Sequence, residues 1–384
     1  MHIAQQQWTK EGGWKTVLAE TEAPFVPQLV FGFGGTDVLK DHTRYDEIHA
    51  MYPNAHILLC STAGEILGTT VSDDTIALTA IQFTKTTLAF ASAHIDDAST
   101  SFTVGAKLAS ELPREGLVHA LIFSDGLLIN GTQLVEGIKS TLPGAVKVTG
   151  GLVGDGGRFK ETVIGFDGYP EAGKLVLIGL YGEALRIGYG SFGGWDSFGP
   201  ERVITKSKDN VLFEIDKRPA LALYKEYLGE QAAGLPASGL LFPMNVRINP
   251  NTNKEDNVVR TLLAVDEATQ SMTFAGDMPE GAYAKLMRAN FERLIDGAES
   301  AANLTTEKLG EGKPEFALLV SCVGRKLVLK ERTEEEVESV SGALGGQAVL
   351  TGFYSYGEIC PTTTTEHQCQ LHNQTMTITT FREA

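Results

Sequence analysis

The sequence predicts a mixed α/β (α+β) protein of two related domains built from repeated βαβ units with antiparallel hairpins. Three observations carry this expectation. Short apolar runs that break into small-residue turns occur three times, as QLVFGFGG at Gln28–Gly35, ALIFSDGL at Ala120–Leu127 and ALLVSCVG at Ala317–Gly324, which is the pattern of a buried strand delivering a loop. Each is followed by room for a helix and then by a second apolar run ending in Gly and an acid: Gly64-Glu65, Gly154-Asp155 and Gly357-Glu358. Glycine makes up 42 of 384 residues, above the usual level of roughly 7%, and concentrates at these turns.

In order along the chain, the first unit reads as a strand at 28–35, a helix over 37–51 and a strand over 56–65. The second has its strand at 120–127, its helix at 131–141 and its second strand at 146–155. The third has 317–324, 331–343 and 348–358 in the same roles. Units of this size suit βαβ modules with parallel pairing. Downstream of each Gly-acid turn, alternating stretches predict antiparallel hairpins over Thr75–His94, Thr162–Gly190 and His367–Phe381. A further hairpin is expected over Val259–Ala275, turning near Asp266–Gln270. Pro219–Leu228, closed by Gly229, and Leu286–Ala302 have helical spacing. The domains are placed at 1–205 and 206–384.

The charge balance is 32 Lys+Arg against 48 Asp+Glu, or −16, which repels phosphate backbones and anionic lipid surfaces. Nucleic acid and membrane are therefore not expected partners. No secretory leader and no apolar span of membrane length is visible. The four cysteines, Cys60, Cys322, Cys360 and Cys369, form no CxxC pair, so a reducing cytoplasm is expected.

No P-loop, HExxH, GxSxG or dinucleotide fingerprint occurs. Cys60, in the run Cys60-Ser61-Thr62-Ala63-Gly64-Glu65, stands where a strand exit would present a thiol nucleophile, but no partner histidine is evident. A buried structural cysteine is the favoured reading. Cys322 precedes Arg325, which reads equally as part of a tight loop or as a fixed charge for a ligand carboxylate or phosphate. Glu65, Asp155 and Glu358 lie where α/β sheets address ligands, or else accept loop N–H groups. The strip Cys360, His367, Cys369 and His372 has metal-capable atoms in no recognised zinc spacing. The segment Ile187–Pro200 sets Phe192, Trp195 and Phe198 among glycines, as a flat apolar ligand or an interdomain hinge would need.

With these motifs in place, the chain resembles the FIST family of sensory proteins over nearly its whole length. The residues that carry the resemblance are Cys60 to Ile66, Ser124-Asp125-Gly126, Thr149-Gly150-Gly151 and Gly352 to Ile359. It implies an N-terminal and a C-terminal FIST domain, no enzymatic activity, and a small ligand, amino acids being one proposal, whose binding is passed to a separate signalling partner. Gly193-Gly194-Trp195-Asp196 and Arg202–Leu228 are similar to a bacterial branch that includes haem-binding nitric-oxide sensors acting on histidine kinases. That likeness implies haem as a possible cofactor and a histidine kinase as a possible partner, with no axial ligand mapped. The expected ligand contacts are Cys60, Ser61, Thr62, Glu65, Ser124, Asp125, Trp195, Arg260, Cys322, Arg325, Tyr354, Tyr356 and Glu358. A cysteine-dependent enzyme is the remaining alternative.

Overall fold

Each apolar run is a strand that pairs in parallel with the second strand of its own unit. Leu29–Gly34 lies beside His56–Ser61, Leu117–Ser124 beside Lys147–Leu152, and Phe316–Cys322 beside Val349–Ser355. A parallel pair needs a long crossover, and each crossover here is helical: Thr36–Leu39 with His42–Met51, Gly131–Thr141, and Val323–Leu329 with Thr333–Ala343. Asp41 and Asn130 cap two of these helices, accepting the N–H of Thr43 and of Gln133, each at 3.1 Å. The computed structural model describes residues 1–20, 24–247, 257–362 and 369–384.

A third strand runs antiparallel on the far side of the first in every unit: Ile76–Gln82, Lys174–Tyr181 and Met376–Glu383. A fourth lies beyond it, namely His2–Thr9, Thr87–His94 and Leu185–Phe192. The opposite side is completed by a strand from another unit. Glu65–Leu67, leaving the first unit, joins Val349–Ser355 of the third. Gly357–Pro361, leaving the third, joins Lys147–Leu152 of the second, and Ile164–Phe166, leaving the second, joins His56–Ser61 of the first. The exchange is cyclic, so three six-stranded sheets close on one another.

Their inner faces share one core, in which Phe33, Phe123 and Phe353, one from each sheet, meet with ring centroids 4.9 to 6.2 Å apart. The strand ends are locked in the same cyclic sense. Ala63 N–H donates to the Tyr354 carbonyl at 2.8 Å, Tyr356 N–H to Leu152 at 3.0 Å, and Gly154 N–H to Ser61 at 3.2 Å.

Three of the four expected hairpins are not hairpins. In Thr75–His94, Ile76–Gln82 and Thr87–His94 lie in different sheets. In Thr162–Gly190, the strands Ile164–Phe166, Lys174–Tyr181 and Leu185–Phe192 enter three different sheets. Cys369–His372 and Met376–Glu383 likewise separate, and residues 367 and 368 lie outside the described residues. Alternation reports a half-buried strand but not its neighbour. The hairpin in Val259–Ala275 does form, from Leu262–Asp266 and Ser271–Phe274.

The expected helix over 286–302 is Phe291–Leu309. Leu286–Arg288 ends a strand, and Asn290 caps the helix by accepting the Arg293 N–H at 3.4 Å. The chain from Asp196 to Arg288 builds a fourth sheet, of eight strands, packed with helix Ala220–Leu228 around Ile204, Leu212, Tyr224, Met272 and Phe274. The division expected at 205/206 falls within its strand Asp196–Lys208.

Candidate functional site

The acids after the glycines hold the fold. Glu65 accepts the Thr62 hydroxyl at 2.5 Å and the N–H and hydroxyl of Thr75 at 3.0 and 2.8 Å. Glu358 repeats the arrangement with the Ser355 hydroxyl at 2.7 Å and the N–H and hydroxyl of Thr375 at 3.1 and 3.0 Å. Each carboxyl therefore anchors the residue that opens the third strand of its unit.

In the second unit Asp125 takes this task, accepting the Thr162 hydroxyl at 2.7 Å and the Gly173 N–H at 3.1 Å. Asp155 turns instead to the N–H groups of Phe159, Lys160 and Glu161 and to the Tyr356 hydroxyl. Burial raises Glu65 to about 7 and Glu358 to about 8, against the opposing pull of their hydrogen bonds. For Asp155 burial also raises the pKa, but the Tyr356 hydroxyl and the three N–H groups outweigh it, and the net shift is downward.

Most of the expected ligand contacts are interior. Ser61 accepts the Val163 N–H at 2.9 Å and Ser124 donates to the Asp125 carbonyl at 3.1 Å. Tyr356 stacks on Phe159 at 4.4 Å. Arg325 is not a ligand-facing charge, because neither it nor its partner Glu336 is exposed at all. Its guanidinium donates to Glu336 at 2.7 and 3.0 Å, to the Leu294 carbonyl at 2.7 Å and to the Gly193 carbonyl at 2.5 Å. Glu336 also accepts the hydroxyls of Tyr354 and Ser321, at 2.6 and 3.1 Å.

Arg260 is buried too, donating to the carbonyls of Leu371 and Asp277 at 2.9 and 3.2 Å. Cys60 and Cys322 are buried thiols pushed up by desolvation, the opposite of what activates a cysteine nucleophile. Cys60 is thus buried, as its favoured structural reading expects, and neither thiol has the setting that the cysteine-dependent alternative needs. Cys360 and Cys369 are buried as well. His367 lies outside the described residues, and among the described residues no three His, Cys, Asp or Glu side chains gather as a metal site.

Two expected contacts, Thr62 and Glu65, line an open cleft of about 640 Å³ at the C-terminal ends of the parallel strands. All three units contribute to it: Asp73 and Asp74 from the first, Asp155 and Arg158 from the second, and Lys326, Leu327 and Lys330 from the third. A crevice outside the carboxyl ends of strands is where such sheets bind ligands. Lys326 donates to the Ala63 carbonyl at 3.0 Å and pairs with Asp73. It passes so close to Gly64 that a Cβ there would stand 2.5 Å from the ammonium, and the Gly64 φ of 141° itself favours glycine. Arg158 is tied to Asp37 at 2.9 Å. Asp74 and Lys330 have no side-chain partner among the described residues.

The sequence reading missed these charges. The available signals were the Asp73-Asp74 pair opening a strand and a lysine four residues past the Cys322 strand end.

Trp195 lies apart, with its Nε1 donating to the Gln374 carbonyl at 2.8 Å. It borders a second cleft of about 490 Å³ between helix Phe291–Leu309 and the fourth sheet. His372 lines this cleft and gives its Nε2 to the Cys360 carbonyl at 3.0 Å. A second histidine buried among the described residues, His119, holds Thr149 Oγ1 at 2.8 Å through Nε2. Haem does not fit this set. The cleft around His372 also carries Asn245, Arg293, Asp296 and Ser300, polar groups that a flat apolar macrocycle would have to desolvate.

No helix among the described residues is long and apolar enough to cross a membrane. No curated protein matches the chain. Among solved structures, a cyanuric acid hydrolase from A. caulinodans is similar at 9% identity and a TM-score of 0.32, over 94% of this chain and 91% of that one. The FIST N domain model matches residues 28–218 and the FIST C domain model residues 220–361. Together they span most of the molecule, including all three pairs of strands that feed the first cleft, and the chain belongs to the FIST family.

Proposed function

We propose that this protein is a small-ligand sensor whose ligand is a free amino acid held in the cleft where the three units meet. FIST domains are associated with small-ligand sensing in signal transduction. The observation that carries the reading is the pair of opposite charges left without side-chain partners in that cleft, Asp74 and Lys330. A carboxylate on one wall and an ammonium on another suit the two ends of a zwitterion, with the α-ammonium at Asp74 and the α-carboxylate at Lys330. Glu65, Thr62 and Leu327 then border the side chain. In this reading the occupied state is passed to a separate signalling protein, a histidine kinase being the class that the family resemblance names.

Thermal-shift screening against the standard amino acids tests it. A ligand at a hundred times its Kd stabilises by about 2.7 kcal/mol, and both Asp74→Ala and Lys330→Ala should abolish the shift while leaving the unliganded melt in place. A folded protein that no amino acid stabilises overturns the reading.

A further inference from the structure

We infer that the cleft beside Trp195 is a second, separate binding site, and that it takes a small organic cation carrying N–H donors, such as an alkylammonium or guanidinium compound. The first observation is an unmet acceptor. Asn245, on a strand of the fourth sheet, lines the cleft, and its Oδ1 is buried with no hydrogen-bond partner. Most buried polar atoms are hydrogen-bonded, so an unpaired one on a cleft wall is an acceptor open to a donor from water or a ligand.

The second is the tautomer of His372. Its Nε2 lies 3.0 Å from the Cys360 carbonyl oxygen, which can only accept, so Nε2 carries the hydrogen. Burial lowers the ring's pKa to about 4, and Nδ1 is left as a bare acceptor at neutral pH. The third is charge. Arg293 is neutralised by Asp196 at 2.5 Å, whereas the Asp296 carboxylate has no side-chain partner among the described residues.

Asp296 is thus the uncompensated charge among the described lining residues. Residues bearing acceptors of three kinds, amide, imidazole and carboxylate, line one volume and suit a donor-rich cation. Phe192 and Trp195 on the same rim add aromatic contact of the sort cations prefer. A volume of about 490 Å³ admits a metabolite-sized molecule, and the net charge of −16 favours the approach of a cation. The buried Arg260, which lies near His372, is held by carbonyls and faced by Asp277.

The test reads Trp195 directly. In a Trp8→Phe, Trp14→Phe background it is the one remaining tryptophan, and it is titrated with agmatine and with putrescine. A saturable change in its emission is expected, weakened by about tenfold or more by Asn245→Leu and by Asp296→Asn. If Asn245→Leu fails to fold by circular dichroism, the exposed Asp296→Asn carries the test alone. The inference is overturned if the folded protein gives no saturable change into the millimolar range, if the change survives Asp296→Asn, or if glutarate at matched ionic strength gives the stronger response.

Discussion

Glu358 has no exposed surface, and burial raises its pKa from 4.5 to about 8. The folded state therefore holds this proton more tightly than the unfolded chain does, so its contribution to stability is fully present below about pH 4.5 and is lost as pH rises through 8. Glu358→Gln, which keeps the shape and removes the titration, should flatten the stability profile over that window relative to the parent; urea unfolding at pH 5, 6.5 and 8 measures it. Arg325 makes a different prediction. Arg325→Ala strands Glu336 without its cation and should cost about 3–5 kcal/mol, whereas replacing both partners with apolar residues should recover much of the loss; denaturant midpoints of the single and double variants distinguish the two outcomes. The position of Glu358 after a glycine was legible in the sequence. The burial of Arg325 was not, because Gly193 and Leu294, whose carbonyls hold it, come from distant parts of the chain.

The parallel pairs and their crossover helices could be read directly, since a fully buried strand followed by a helical spacing leaves few alternatives. The hairpins could not. Successive strands leave for different sheets, and the turn between Ile76–Gln82 and Thr87–His94 shows how this is made possible. Its N–H groups at Thr84, Lys85 and Thr86 are all accepted by Glu383, each at 2.8 Å, from the last strand of the third unit. Burial raises the Glu383 pKa, but these bonds outweigh it and bring the pKa down to about 2. The stabilisation is present above the unfolded value of 4.5 and fades as pH falls toward 2. Glu383→Ala should cost about 1–3 kcal/mol at neutral pH and less in acid, measured by thermal melts at pH 7 and pH 3. A period-two pattern states which face of a strand is buried; the partner that captures the turn lies some three hundred residues away.

At the scale of the whole molecule, each unit's sheet is finished by a strand of another unit, and the three inner faces share one phenylalanine cluster. Unfolding should therefore be cooperative across the three sheets. Native-state hydrogen exchange should give Leu29–Gly34, Leu117–Ser124 and Phe316–Cys322 the same opening free energy, and exchange of one strand well below the others would contradict this. Phe353→Ala, at the centre of the cluster, should cost about 3–5 kcal/mol and lower the protection of all three strands together. The threefold repetition was visible in the sequence as three Gly-acid turns, but the cyclic exchange was not, because it depends on short strands such as Glu65–Leu67 that carry almost no pattern of their own.

Helix Val323–Leu329 is only seven residues long, yet it lines the first cleft and is bonded to a wall residue of the second. Lys326 and Leu327, with Lys330 just past its end, face the first, while Arg325 grips the carbonyls of Leu294 and of Gly193, the latter a lining residue of the second. A ligand held at Lys330 in the first cleft would thus rest against the same short helix that Arg325 ties to Gly193 in the wall of the second.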